Sequence, residues 1–216
     1  MMANNTTELV FILDRSGSMA GMEKDTIGGF NAMLDKQKKE DGEGFVTTVL
    51  FDNDCKTIHD RAKLSEMAHM TEQDYMVGGC TALLDAVGST IDHIRKVHKY
   101  IRPEDVPGHT IFVITTDGME NASCRYSLTQ VKQLIQQQQE AGWEFLFLGA
   151  NIDAVETAAS MGIRRDHAAQ YVCDGAGTKL NYESVSCAVS SMRTGRAVGR
   201  EWKKHIEADF LRRNKK

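Results

Sequence analysis

Asp14, Ser16 and Ser18 stand at alternate positions directly after the apolar run Leu9-Val10-Phe11-Ile12-Leu13. One turn of chain thereby delivers a carboxylate and two hydroxyls. Two other stretches carry the same kind of atom: Gly79-Cys80-Thr81 and Thr115-Thr116-Asp117-Gly118. Asp14, Ser16, Ser18, Thr81 and Asp117 together make an oxygen-only ligand set for one divalent cation. Hard oxygen donors suit Mg²⁺, Mn²⁺ or Ca²⁺ and suit zinc or copper poorly. Gly17 allows the backbone to turn sharply between the two serines.

Two of these five side chains are anionic and three are neutral. Hydroxyls offset little of a cation's charge, so an ion held this way stays electrophilic and accepts a carboxylate from another molecule. Each fragment alone has a plainer explanation. Ser16 and Ser18 suit a helix cap, Asp117-Gly118 suits a turn, and Thr81 suits the start of a helix. Three such fragments, each at a strand end or helix start, favour a single site.

The elements that must position them follow from periodicity. Residues 8–13 and 110–116 are continuous apolar runs of strand length, and 143–148 is a third; such runs fit strands buried on both faces. Residues 45–51 and 55–59 read as a hairpin around Asp52-Asn53-Asp54, which places an antiparallel strand at a sheet edge. A stripe of Ile27, Phe30, Met33 and Leu34 marks a helix over 23–39, in which Gly28-Gly29 permits close packing. A second helix begins at Ala82, with Leu83, Val87, Ile91, Ile94, His98 and Ile101 on one face, and stops before Pro103. Ser127-Leu128-Thr129-Gln130 is a capping box for a third helix that Gly142 ends. Asp153 and Glu156 cap a helix over 154–161. A short strand over 167–172 and helices over 182–192 and 201–211 follow, and 62–79 reads as a packed loop. Strand and helix alternate throughout. The fold class is therefore α/β: a doubly wound, mostly parallel central sheet with one antiparallel edge strand and helices on both faces. In such a sheet ligands bind at the carboxyl ends of the strands, near the topological switch point; Asp14 and Asp117 each end a buried strand, and if those strands are central neighbours the ligand segments converge on one rim.

The 216 residues, with 41% hydrophobic and 26% charged, suit one soluble domain. A basic helical extension, 191–216, holds nine Lys or Arg against three Asp or Glu, although the whole chain carries −4. That extension offers a surface for nucleic acid or an acidic protein; a solvated helix face is the preferred reading. Cys55, Cys80, Cys124, Cys173 and Cys187 are odd in number and lack a C-x-x-C pair. This argues against a disulfide framework and a zinc site, and for a reducing cytoplasm. No apolar run approaches the length of a membrane span, and the polar first residues lack a signal core.

The set Asp14-Ser16-Ser18, Thr81 and Asp117 resembles the metal-ion-dependent adhesion site of the von Willebrand factor type A domain family. The stretches from Phe11 to Met19 and from Gly78 to Ala86 are especially similar to intracellular prokaryotic members. The resemblance runs over about residues 8–190 and fades beyond Gly162. It implies a Rossmann-like sheet with one antiparallel edge strand. It also implies that Ser16, Ser18 and Thr81 approach the metal directly, with Thr81 the ligand that comes and goes between states. Asp14 and Asp117 would ligate directly or through water, and a partner's Asp or Glu would complete the shell.

Three function classes follow. The first is a cation-dependent module, with no chemistry of its own, that binds a protein presenting an acidic residue. The second is a metal-dependent phosphohydrolase. Asp14-x-Ser16 lacks the second carboxylate that a nucleophile–acid pair requires, and no Gly-rich loop with Lys is present. The third is nucleic-acid or acidic-partner binding through the basic C-terminal region, where only Trp202 and Phe210 would stack on bases. Other residues have simpler expected roles. Asp52 and Asp54 serve the hairpin, Asp85 the dipole of its helix, His98 amphipathic packing, and Met67, Met70 and Met76 the core. Glu120 and Asn121 are expected to be solvated loop residues.

Overall fold

A computed structural model describes residues 5–214. The chain forms strands β1 (Thr7–Asp14), β2 (Gly44–Phe51), β3 (Cys55–Lys63), β4 (His109–Thr116), β5 (Glu144–Gly149) and β6 (Ala168–Gln170). Its helices are α1 (Glu23–Gln37), α2 (Leu83–Tyr100), α3 (Leu128–Glu140), α4 (Ala154–Ser160), α5 (Gly175–Arg193) and α6 (Lys204–Arg213). The strands make one sheet in the order β3-β2-β1-β4-β5-β6, parallel except for β3, which pairs antiparallel with β2 at the edge.

Every residue of β1 is buried, and its side chains alternate between two cores. Leu9, Phe11 and Leu13 face Phe30, Met33 and Leu34 of α1 and Val185 and Val189 of α5. Val10 and Ile12 face Val87, Ile91 and Ile94 of α2 and Val131 and Ile135 of α3. Burial of each such aliphatic side chain stabilises the fold by roughly 1.5–3 kcal/mol. Helices therefore cover both faces, and β1 lies between β2 and β4. The chain moves outward from β1 in both directions, so the crevice beyond its carboxyl end is the switch point.

Several elements run differently from the sequence expectation, for local reasons. β3 continues to Lys63, past the expected 59, because the register with β2 shifts between Val46 and Val49. Within this irregular pairing Arg61 adopts φ 47°. Its N–H bonds Thr47 Oγ1 at 3.1 Å and its Nε bonds buried Glu8 at 2.8 Å. α1 stops at Gln37 rather than 39. There Arg193 of α5 donates to the Gln37 carbonyl at 2.7 Å and to that of Gly42 at 3.0 Å. α5 starts at Gly175, seven residues before the expected 182. Asp174 caps it through Gly177 N–H at 2.7 Å, and a Cβ on Gly177 would lie 2.0 Å from the Val172 carbonyl oxygen. These two glycines disguise a helix start. Gly29 does permit close packing, since a Cβ there would meet the Tyr182 ring at 2.3 Å. Met67 and Met70 fill the core as expected, whereas Met76 is exposed.

The capping box of α3 forms as read. Gln130 N–H donates to Ser127 Oγ at 3.3 Å, and Gln130 Oε1 accepts the Ser127 N–H at 2.8 Å. Ser127→Ala should lower the unfolding free energy by about 1 kcal/mol, read as a lower urea midpoint at unchanged slope.

Several described residues of the basic C-terminal stretch are engaged within the molecule. Trp202 and Ile206 join the α1/α5 core. Lys203 is buried, donating to the Arg165 carbonyl at 2.8 Å and the Ala168 carbonyl at 2.6 Å. Arg212 and Arg213 pair with Asp209, and Arg213 also with Asp174. Lys204 pairs with Glu201, and Arg200 with Glu207 at 3.6 Å.

Candidate metal centre

β1 and β4 are adjacent and parallel, with Leu13 opposite Thr115, so Asp14 and Asp117 emerge side by side at one rim. Both are almost fully buried. Asp14 Oδ1 accepts the Ser16 N–H at 2.7 Å, which pins the turn that follows. Its Oδ2 accepts the Thr116 hydroxyl at 2.6 Å, which ties it to β4. Tyr75, from the loop between β3 and α2, donates its buried phenol hydroxyl to the Asp14 carbonyl. A short 3-10 turn, Gly17–Met19, then brings Ser16 Oγ within 3.1 Å of Ser18 Oγ. Ser18 Oγ in turn donates to Asp117 Oδ1 at 2.5 Å.

Thr81 lies at the end of the same β3–α2 loop, just before α2. Gly79, at φ 76°, offers its carbonyl to the Gly17 N–H at 3.0 Å. Asn53 Oδ1 accepts the Cys80 N–H at 2.6 Å, and the Asp52 carbonyl accepts the Ala82 N–H at 2.8 Å. Thr81 is buried, and its hydroxyl and that of Ser18 flank Gly118. A Cβ on Gly118 would lie 3.2 Å from Thr81 Oγ1 and 3.5 Å from Ser18 Oγ. All five residues singled out from the sequence thus meet at one rim.

The electrostatics suit a cation. Burial raises the Asp117 pKa above the ordinary carboxylate value, and the Asp14 charge adds to that; the Ser18 hydroxyl opposes it. Arg15, the nearest cation in sequence, turns away to Asp52 at 3.1 Å. Among the described residues no Lys, Arg or His forms an ion pair with Asp14 or Asp117. Two buried carboxylates at one rim, one raising the pKa of the other, require compensation, and the surrounding donors are hard oxygens. The residues present therefore fit Mg²⁺, Mn²⁺ or Ca²⁺. Among the described residues no three His, Cys, Asp or Glu side chains cluster as a metal site, so this set depends on its hydroxyls.

Several contributors escape a sequence reading. Thr116, Tyr75 and Asn53 act through partners far along the chain. Cys173, beyond the end of β6, lies 3.9 Å from Asp117 Oδ2. Burial and the neighbouring Asp117 and Asp174 push its thiol pKa up to about 11, so it stays protonated. Glu120 and Asn121 are not simply solvated. Glu120 Oε2 accepts the Leu84 N–H at 2.8 Å, and its Oε1 accepts those of Ala122 and Ser123. Asp85 does sit in the first turn of α2, but its carboxylate accepts the N–H groups of Cys124, Arg125 and Tyr126. Burial raises the Asp85 pKa, yet these three bonds outweigh that and leave it lowered. Asp52 plays the expected hairpin role, accepting the Asp54 N–H at 2.8 Å.

Comparison with solved structures decides the architecture. The chain superposes on the vWF domain of the type V pili tip protein Mfa5 from Porphyromonas gingivalis with a TM-score of 0.61. The two are 10% identical, over 85% of this chain and 94% of that one. The fold is von Willebrand factor type A-like. Manganese-loaded TRAP protein of Plasmodium vivax matches this type A-like fold at a TM-score of 0.53 and 14% identity, over 83% of this chain and 73% of TRAP. Proximal thread matrix protein 1 from the mussel byssus matches at 0.56 and 11% identity. That match covers 86% of this chain but 46% of the mussel protein, so the chain spans about half the latter's length. No protein-family profile matches the chain. No curated protein matches it either.

Proposed function

We propose that the chain is a divalent-cation-dependent protein-binding module. In this reading Ser16, Ser18 and Thr81 hold Mg²⁺ or Mn²⁺ through their hydroxyls, and Asp14 and Asp117 hold it directly or through water. A carboxylate from an Asp or Glu of the partner completes the shell. One observation carries the reading: two buried carboxylates without a cationic partner among the described residues and three hydroxyls converge where the strands end. The donor set leaves a bound cation short of anionic ligands, which favours capture of an outside carboxylate over chemistry on a substrate. The manganese-loaded state of one structure with this fold agrees with the ion class. The basic C-terminal stretch is a poorer rival surface, since among its described residues Lys203, Arg212 and Arg213 already serve carbonyls and carboxylates of the chain itself. A cytoplasmic setting is part of the proposal and rests on five free cysteines.

The expected outcome in a pull-down is capture of a partner in Mg²⁺ that EDTA abolishes and added Mg²⁺ restores. Capture that persists in EDTA but disappears at high salt would instead favour the basic C-terminal surface.

A further inference from the structure

Thr81 is held by more than its own loop. Its N–H donates to the Asn121 side-chain Oδ1 at 2.9 Å, and its carbonyl accepts the Asn121 backbone N–H at 3.0 Å. The same residue therefore grips both backbone polar groups of Thr81, across 40 positions of sequence. Asn121 lies four residues after Asp117, on the loop joining β4 to α3. That loop is fastened to α2 at three further points. Glu120 accepts from Leu84, Asp85 accepts from residues 124 to 126, and the Asp85 N–H donates to Ser123 Oγ at 3.0 Å. Tyr126 also lies so close to α2 that a Cβ on Gly88 would meet its ring at 2.4 Å.

We infer that Asn121 is a positioning residue that locks the Thr81 hydroxyl in register with Asp117 and Ser18. The inference rests on the proposed metal reading and deepens it. With Thr81 paired to Asn121, the second and third ligand loops move as one piece. Any state that withdraws the Thr81 backbone from the rim must first break the Asn121 pair. Glu120 and Asp85 fix the loop to the helix, and Asn121 transmits that fixity to the ligand. Asn121 is exposed, so its side chain is dispensable for the core.

The test is Mn²⁺ binding to the full chain, followed by the EPR signal of free Mn²⁺, in parallel with urea unfolding. Asn121→Ala should weaken Mn²⁺ binding by about tenfold, the lower end of what loss of a supporting partner costs a metal site. Asn121→Asp keeps an oxygen acceptor for the Thr81 N–H and should restore affinity to within about threefold of wild type. Ser127→Ala, on the same loop but away from Thr81, should lower stability without changing Mn²⁺ affinity. Equal affinity in wild type and Asn121→Ala would overturn the inference while leaving the metal site standing. So would equal weakening in Ser127→Ala, which would reduce the effect to loop stability. Absence of Mn²⁺ binding by the wild-type chain would be a failure of the proposed function itself.

Discussion

Mg²⁺ at about one hundred times its dissociation constant should raise the melting temperature of the wild-type chain by about 5–10 °C. Replacement of Asp14 should abolish the rise. The size follows from linkage: a ligand at that excess adds about 2.7 kcal/mol, and a domain of this size gains about 2–4 °C per kcal/mol. Asp14→Asn is the sharper variant. An amide keeps an oxygen that accepts the Ser16 N–H, so the turn carrying Ser16 and Ser18 should survive. Thr116 Oγ1 would have to find another acceptor, and the Gly118 carbonyl lies 3.2 Å from it. What the amide cannot supply is negative charge. Without cation the variant should be no less stable than wild type, since one of two mutually repelling buried carboxylates is gone. With Mg²⁺ its melting temperature should stay flat, as scanning fluorimetry would show. A rise equal to that of wild type would mean that the ion binds elsewhere.

The second large effect concerns stability rather than binding. Glu8 is fully buried at the start of β1, among residues that otherwise feed the α2/α3 core. Its Oε2 accepts from Arg61 Nε at 2.8 Å, and His98 Nε2 lies 3.5 Å away. The Arg61 guanidinium also lies over the Phe45 ring, 4.6 Å from its centroid, and His98 packs edge-on against Trp143. Glu8→Ala strands a mostly buried guanidinium and should cost about 3–5 kcal/mol. Domains are stable by only about 5–15 kcal/mol, so this is a large fraction of the total. Urea denaturation should show the loss directly. The double variant Glu8→Ala, Arg61→Ala should cost less than the sum of the two single changes, because the second removes the stranded charge. Strict additivity would show that the two groups do not act as a pair.

Much of this architecture is written locally. β1, β4 and β5 read as strands because burial on both faces leaves a continuous apolar run. α2 and α3 read as helices because each buries one clean stripe. The five ligand candidates were also legible, since each sits at a strand end or helix start that short-range signals mark. What stayed hidden depends on distant partners. α5 begins seven residues early because Gly177 must pass against the Val172 carbonyl, a contact no periodicity reports. β3 runs long because an irregular pairing turns Arg61 toward Glu8. Tyr75, Thr116 and Asn121 shape the site through bonds that span 40 to 102 positions. Glu120 looks like an ordinary loop carboxylate until α2 is placed beside it. The sequence thus marks the atoms that would touch a cation more clearly than the ones that hold them in place.

The central claim is that three separated loops converge on one shared cation. A crystal of the chain grown with Mn²⁺ and measured for anomalous scattering tests it most directly. The expected result is one strong peak bounded by the hydroxyls of Ser16, Ser18 and Thr81, with Asp14 and Asp117 around it. A manganese ion bound at another part of the surface, with none at this rim, would contradict the account.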